Sequence, residues 1–250
     1  MSAPISRASL IANVVACAAA LAGVQAAQAS PFMVDSTSTA EGLELKSSFE
    51  YRDTESKQTL IAPKLAVAFP LGPNLEFEVG SSYRRIERDG ATHQGLADST
   101  LEMKWRLMDE SDSPIALAVI PELSLPTGSE RAGLGSGHAE LVLPVVVEKH
   151  FGAVMLTGQF GYARSFGGDE EYFPLGVLLT AKPRDTLKVG IELAGEAPRD
   201  HFSDCELNAN VGFKWEMTRS LELHGLVGRT VRSPDSDPMT RFKLVIEAHF

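Results

Sequence analysis

The sequence has little cysteine and no second long apolar run. It contains 2 cysteines in 250 residues, and Cys17 lies in the N-terminal leader described below. Cys205 alone cannot form an intramolecular disulfide, and a metal site built on cysteine pairs is excluded. After the leader no run of about 18 apolar residues occurs, so the sequence predicts no transmembrane helix there.

Positive charge is also scarce. The 23 lysines and arginines are outnumbered by 33 aspartates and glutamates, which gives a formal net charge of -10. A nucleic-acid-binding protein presents a basic face, so we expect no nucleic-acid partner. None of the 6 histidines pairs at a spacing such as H-x-x-x-H. The sequence motifs therefore imply no metal and no cofactor.

The first 29 residues have the pattern of a signal peptide. Arg7 is the only charged side chain, and the apolar run from Leu10 to Val24 follows it. Ala27-Gln28-Ala29 then supplies small residues before a cleavage point at Ser30. A membrane anchor is the alternative, but the run is short and rich in alanine. We therefore predict residues 1–29 to be a cleaved signal peptide and the mature protein to be exported.

From Glu41 onward the hydrophobic period is two. In one typical stretch, the apolar Leu101, Met103 and Trp105 alternate with Glu102 and Lys104. This period gives each strand one apolar and one polar face. We predict about twelve such strands, mostly about 11 to 15 residues long, whereas globular strands average about five or six. A strand tilted across a bilayer needs about nine to eleven residues.

These strands predict an all-β fold, an antiparallel transmembrane β-barrel of about 12 strands and of the outer-membrane type. Short connections alternate with longer polar ones, such as Arg88 to Leu96 and Pro126 to His138, as in barrels with periplasmic turns and outer loops. We expect residues 30–40 to be a polar N-terminal extension and residues 41–250 to be the barrel. A soluble sandwich with its charged face in water is the alternative.

The last predicted strand ends on an aromatic residue. Phe250 follows Phe242, Leu244 and Ile246, which occupy alternate positions. This pattern is typical of the closing strand that the barrel assembly machinery of Gram-negative bacteria recognises. We therefore predict Phe250 to be an assembly signal, with the assembly machinery and outer-membrane lipids as partners.

Several short segments resemble one family of outer-membrane proteins. They are Gly95 to Arg106, Pro121 to Gly128 and the glycine-rich Gly133 to Gly137. With the surrounding strands, they resemble the meta-pathway phenol-degradation family, and the resemblance spans most of the mature chain. It implies an outer-membrane β-barrel with a proposed role in moving hydrophobic or aromatic compounds. It supplies no set of binding residues.

In a barrel the polar faces of the strands point into the lumen, and these side chains are the candidate lining. The acidic candidates are Glu44, Glu50, Glu76, Glu78, Glu102, Glu122, Glu140, Glu148, Glu192, Glu206, Glu216, Glu222 and Glu247. The basic candidates are Lys46, Arg52, Lys64, Arg84, Lys104, Arg106, Lys188, Lys214, Arg241 and Lys243. The acids outnumber the bases. The two sets either line a narrow pore or pair across strands and fill the interior. Both are open because a barrel of about twelve strands is intermediate between the eight-stranded barrels that side chains fill and the larger barrels that leave a water channel.

The sequence offers little support for catalysis. Ser136 lies among glycines but lacks the G-x-S-x-G spacing, because Leu134 stands where glycine should be. Ser136 and His138 are two residues apart and could share a face, which leaves a lipid-acting enzyme as a weak alternative. We predict an outer-membrane channel for small molecules rather than an enzyme. A closed structural or surface-interaction barrel is the second possibility, and conductance distinguishes the two.

Overall fold

A computed structural model describes residues 31–168, 170–234 and 237–250. The predicted signal peptide, residues 1–29, lies outside the described residues. No helix within the described ranges is long and apolar enough to cross a membrane. Two short 3-10 helices, Glu130–Ala132 and Phe202–Asp204, lie in loops.

The remaining regular structure is one antiparallel sheet. Its 14 strand segments form twelve strands, because β4 and β5 are each interrupted once. The strands are β1 Glu44–Asp53, β2 Lys57–Gly72, β3 Leu75–Arg88, β4 Ala91–Leu96 with Ser99–Met108, β5 Ala116–Val119 with Glu122–Leu125, β6 Ala139–Phe151, β7 Val154–Phe166, β8 Glu171–Arg184, β9 Leu187–Pro198, β10 Glu206–Thr218, β11 Leu221–Arg232 and β12 Thr240–His249.

The sheet closes on itself. Each strand pairs with its neighbours in the sequence, and β12 pairs with β1 along its length, from Glu44 opposite His249 to Asp53 opposite Thr240. Closure leaves no exposed strand edge, which is what a sheet needs inside lipid. The predicted closed antiparallel barrel of twelve strands is therefore confirmed.

The two faces of the sheet differ sharply in polarity. Outward-facing Leu65, Trp105 and Ile191 are 48%, 53% and 57% exposed, whereas inward-facing Glu76 and Glu192 are 3% and 4% exposed. A soluble sandwich would place these groups the other way round. The barrel thus carries an apolar outer surface for lipid and a polar interior.

The connections distinguish the two ends of the barrel. One end has the two-residue turns 73–74, 152–153, 185–186 and 219–220 and one longer connection, 109–115, and His249 also lies there. The other end carries the longer loops 126–138 and 199–205. Outer-membrane barrels have short periplasmic turns and longer outer loops, so we call the first end the periplasmic end and the second the outer end.

The expected long loop from Arg88 to Leu96 is wrong. The chain turns tightly at Asp89 and Gly90, both with positive φ (51° and 76°), and Ala91–Leu96 pairs with β3. Asp-Gly suits the type I′ turn that joins twisted strands. The real interruption of β4 comes at residues 97–98, where the strand bends to meet loop 126–138.

Candidate functional site

Residues 31–40, the predicted N-terminal extension, lie inside the barrel. We call them the lumen segment. Phe32, Val34, Thr37 and Ala40 are all buried, with 6%, 0%, 3% and 5% of their surface exposed. Their partners are inward-facing side chains of the wall. The lumen segment therefore occupies the interior that an open pore would leave to water.

An apolar contact holds the first half of the lumen segment. Phe32 and Val34 form one buried cluster with Leu178, Ala194 and Leu226 of β8, β9 and β11. This cluster is the main apolar anchor between the lumen segment and the wall. Its burial stabilises the bound position, at about 25 cal/mol per Å² of apolar area removed from water.

Inward-facing glycines make room for that anchor. A Cβ at Gly176 would lie 2.5 Å from Cγ2 of Val34, and one at Gly190 would lie 2.7 Å from Cζ of Phe32. Gly212, opposite Gly190 in the sheet, also faces the Phe32 ring. The missing side chains on three neighbouring strands thus shape a groove in the wall for Phe32 and Val34.

Buried carboxylates hold the backbone of the lumen segment. The Val34 N–H donates to Glu192 Oε1 at 2.6 Å. Further along, the Ala40 N–H donates to Glu76 Oε2 at 2.6 Å. Hydrogen bonds to ionised acceptors are stronger than hydrogen bonds between neutral groups. The two glutamates therefore hold the backbone of the lumen segment against the barrel wall.

The middle of the lumen segment is held by side chains. The Lys104 ammonium donates to Asp35 Oδ1 at 2.9 Å, and the Thr37 hydroxyl donates to the Glu148 carboxylate. These bonds join the segment to β4 and β6. The Lys104–Asp35 ion pair thus connects a charge of the lumen segment to a charge of the barrel wall.

Three adjoining cavities lie on the outer side of the lumen segment. The outermost, about 390 Å³, is lined by Glu50, Arg52, Arg84 and Ser136 among others. The next, about 270 Å³, shares Lys64 with it and reaches Met33. On the periplasmic side, a cavity of only about 10 Å³ lies between β8, β9, β10 and β11. The larger of these cavities therefore lie toward the outer end, and the smallest lies toward the periplasm.

The third cavity has a mixed lining. It measures about 230 Å³ and shares Met33, Asp35, Glu102 and Glu122 with the second cavity. Its other walls combine apolar groups with further polar ones, namely Ile120, Val142, Pro144, Pro174, Glu140, Gln159, Tyr172 and Glu196. An apolar surface beside hydrogen-bonding groups is the usual composition of a small-molecule site.

The lining residues predicted from the sequence lie in different parts of this interior. The outer and middle cavities contact Glu50, Arg52, Lys64, Glu78, Arg84, Glu102, Lys104, Glu122, Glu140, Lys46 and Lys243. The small periplasmic cavity contacts Lys188, Lys214, Glu216 and Glu222. Buried in the wall or against the lumen segment are Glu44, Glu76, Glu148, Glu192, Arg241 and Glu247. Glu206 is half-buried near the outer end of β10.

Arg106 lies apart from the other candidates. Its guanidinium donates to Asn74 Oδ1 and to the Pro73 carbonyl at the periplasmic turn. It also pairs with Asp109 at 3.2 Å. Arg106 therefore fastens two turns together rather than facing the cavities.

Many of the predicted charges pair with one another. Lys46 is the centre of one group, 2.7 Å from Glu78 and 3.3 Å from Glu44. Glu50 is the centre of another, with Arg52 at 2.6 Å and Arg241 at 3.0 Å. Such pairing cancels much of the field that separate charges would create. The field that the charges of the lumen create is therefore weak, although acids outnumber bases.

The sequence did not reveal the residues that the lumen segment contributes. Met33 and Asp35 line the cavities, yet the segment has no strand period and looked like a polar extension. Two features are consistent with a buried segment. The run Phe32-Met33-Val34 is apolar, and Gly190 and Gly212, which are paired in the sheet, leave two inward positions without side chains.

The geometry around Ser136 does not form a catalytic pair. The Ser136 hydroxyl donates to Asp98 Oδ2 at 2.9 Å and to the His138 backbone carbonyl at 2.7 Å. The same Asp98 carboxylate accepts bonds from the N–H groups of Gly128 and Ser136. A nucleophilic serine needs an adjacent general base, and in the pair suggested by the sequence that base would be the His138 imidazole. Asp98 instead holds loop 126–138 against the break in β4.

Comparison with known proteins shows the fold. No protein-family model matches the chain, and no curated protein matches it significantly. An outer-membrane channel from Pseudomonas putida F1 superposes with a TM-score of 0.73 at 13% identity, covering 89% of this chain and 100% of that one. The KdgM porin, in complex with disordered oligogalacturonate, gives 0.58 at 8%, covering 82% and 99%. The NanC porin gives 0.58 at 6%, covering 82% and 100%.

At these identities the likeness concerns architecture alone. A closed barrel with an apolar outer face is one of the two structures that can cross a bilayer, and the three matched structures are outer-membrane barrels. The chain is therefore a β-barrel of the outer membrane.

Proposed function

We propose that this protein is an outer-membrane channel for small molecules and that the lumen segment sets the width of its pore. The adjoining cavities between the outer end and the lumen segment carry this proposal. They share lining residues and together form a polar path inward from the outer end to residues 31–40, and the cavity described on the periplasmic side measures only about 10 Å³. The segment is held by one small apolar cluster and a few hydrogen bonds, so its displacement would extend the path.

The mixed cavity suggests the class of solute. Met33, Ile120 and Val142 offer an apolar wall, and the Tyr172 hydroxyl, which donates to Glu140 at 3.0 Å, lies beside it. Such a lining suits a small aromatic molecule that carries a hydroxyl group. The resemblance to the phenol-degradation family points to the same chemical class. Of the matched porins, one holds an oligogalacturonate, which is a different class of solute.

The charge of the lining predicts a weak preference for cations. The predicted lining has more acids than bases, and Asp35 of the lumen segment adds another acid. A water-filled path between low-dielectric walls focuses such an excess and enriches counter-ions. Internal pairing keeps the effect small, and salt weakens it further because the Debye length is about 10 Å at 0.1 M.

Changing each partner of the Lys104–Asp35 pair tests this proposal. We expect Lys104→Gln to increase both conductance and cation preference, because it frees the lumen segment and removes a positive charge. Asp35→Asn should also increase conductance, but it should lower cation preference, because it removes a negative charge. Single-channel recording in planar bilayers under a salt gradient measures both quantities. Arg106→Gln is the matched control, since Arg106 lies at the turn and should leave the reversal potential unchanged.

Two results would contradict the proposal. An absence of conductance in wild type and in both variants, with the folded barrel verified in the same samples, would favour a closed structural barrel. A clear anion preference of the wild type would mean that the ionised groups along the path are not the ones named here.

A further inference from the structure

A group of buried acids and histidines lies where the barrel closes, at its periplasmic end. Glu44 comes from β1, Glu222 and His224 come from β11, and Glu247 and His249 come from β12. We call these five residues the seam cluster. Each has 3% or less of its surface exposed. The contacts described for the lumen segment do not involve them.

The strand register forces these groups together. Glu222 lies directly opposite Glu247 in the β11–β12 pair, and Glu44 lies directly opposite His249 in the β12–β1 pair. Like charges directly opposite each other destabilise a sheet. Three buried carboxylates at one place therefore require a compensating cation or protons.

The distances within the seam cluster are those of potential ligands. His224 Nε2 lies 2.7 Å from Glu222 Oε2, and the other ring nitrogen lies 3.9 Å from Glu247 Oε2. His249 lies 3.8 Å from each of the same two carboxylates. Single donor atoms from Glu222, His224 and Glu247 all lie within 4.8 Å of one another, as do those from Glu44, Glu247 and His249.

Two donor atoms in the cluster lack a hydrogen bond. Within the part of the chain that the structure describes, Oε1 of Glu44 and Nδ1 of His224 are buried with no hydrogen-bond partner. Nearly all buried polar atoms in proteins are paired. The nearby Lys46 is 3.3 Å from the other oxygen of Glu44, and its shorter contact, 2.7 Å, is with Glu78. Nδ1 of His224 is thus available to a ligand that the protein chain does not provide, whereas the Glu44 carboxyl also lies in hydrogen-bonding contact with Glu247.

We propose that the seam cluster binds one divalent transition-metal ion of the zinc type. Imidazole and carboxylate together suit zinc, with ligand distances of about 2.0–2.2 Å and neighbouring ligands of a tetrahedron about 3.4 Å apart. His224, Glu222 and Glu247 are three ligands whose donor atoms already lie within 4.8 Å of one another, and His249, 3.8 Å from both carboxylates, is the candidate for the fourth position. Glu44 then accepts a hydrogen bond from the second ring nitrogen of His249, the usual outer partner of a metal-bound histidine.

The ion would link β11, β12 and β1 at the closing seam. Glu44 is also the first residue of β1, four positions after the end of the lumen segment. The ion would therefore fix the point at which the lumen segment leaves the wall. Sequence spacing could not reveal this site, because no two histidines have a motif spacing and Glu44, the outer partner, comes from the opposite end of the chain.

Metal titration of the full mature barrel in detergent, after treatment with a chelator, tests the proposal. We expect about one equivalent of Zn²⁺ per chain to bind, and Co²⁺ to give the visible absorption of a four-coordinate site. The double variant His224→Gln, His249→Gln should bind at least about 100-fold more weakly. His93→Gln is the matched control, because His93 is exposed at the outer end, and it should bind as the wild type does.

Elemental analysis measures the amount of zinc bound per chain in the wild type and in the variants. No bound zinc in the folded wild type, or equal binding by the double variant and the wild type, would overturn the proposal. If the double variant does not fold, the wild-type cobalt spectrum decides, since absorption typical of six-coordinate hydrated cobalt would also overturn it. Glu44→Gln gives an independent check, because it should weaken zinc binding about tenfold or more and leave the barrel closed.

Discussion

Deletion of residues 31–40 from the mature protein is expected to increase single-channel conductance roughly fivefold or more. The deletion removes the chain that fills the lumen beyond the three outer cavities, and a twelve-stranded barrel is wider than the eight-stranded barrels that side chains fill. Recording in planar bilayers at fixed salt measures the effect. The gel mobility shift between unheated and boiled samples verifies that the shortened barrel has folded.

A substitution in the barrel wall tests whether displacing the lumen segment, without deleting it, also opens the pore. Gly190→Val places a side chain where the Phe32 ring lies, so it should displace the lumen segment and also increase conductance. Gly158→Val is the matched control, because a Cβ at Gly158 meets no atom within 4 Å. Unchanged conductance after both the deletion and Gly190→Val would show that the lumen segment does not limit the pore.

Phe250→Asp is expected to reduce the amount of folded barrel in the outer membrane severalfold. We propose that Phe250 is part of the element that the assembly machinery recognises. The Phe250 N–H donates to the Leu43 carbonyl at 2.8 Å, and its ring is 56% exposed at the periplasmic end of the closing seam. Membrane fractionation followed by unheated electrophoresis measures the folded fraction.

The thermodynamic cost of the new charge is too small to explain such a loss. A charged residue near the interface costs a barrel only about 0–1 kcal/mol. Refolding of the purified variant in detergent should therefore be close to that of the wild type. Phe250→Tyr keeps an aromatic ring and should assemble normally. Normal assembly of Phe250→Asp in cells would mean that the terminal ring is incidental.

The strand period carried most of the fold prediction. Because successive side chains in a strand point to opposite faces, the alternation of Leu101, Met103 and Trp105 with charged residues located both the lipid face and the lumen face. Strand length indicated the membrane. Closure then followed, since an open sheet edge does not persist in lipid.

Features without a period were harder to predict. The Asp89–Gly90 turn was read as part of a loop, although Asp-Gly is a strong hairpin signal. In β2 the register shifts between Ile61 and Lys64, so inward positions change from odd to even numbers there. Pro63 is tolerated at such an irregularity. Neither feature changes the fold, but the irregularity in β2 moves the following side chains by one position.

The site was predicted only in part. The polar faces identified which wall residues point inward, but no local pattern connects Phe32 with Gly176 or Gly190, which are far away in the sequence. A long-range contact of this kind depends on the closed barrel that brings the strands around the chain. The seam cluster depends on the same closure.

A reversible crosslink tests the central claim, that the lumen segment controls the pore, most directly. Val34→Cys and Gly176→Cys, in a Cys205→Ser background, place two thiols within disulfide reach, because Cγ2 of Val34 lies 2.5 Å from a Cβ at position 176. We expect low, steady conductance when the disulfide is formed and a marked increase when a reductant breaks it. Equal conductance in the oxidised and reduced states, with the crosslink verified by mass, would contradict it.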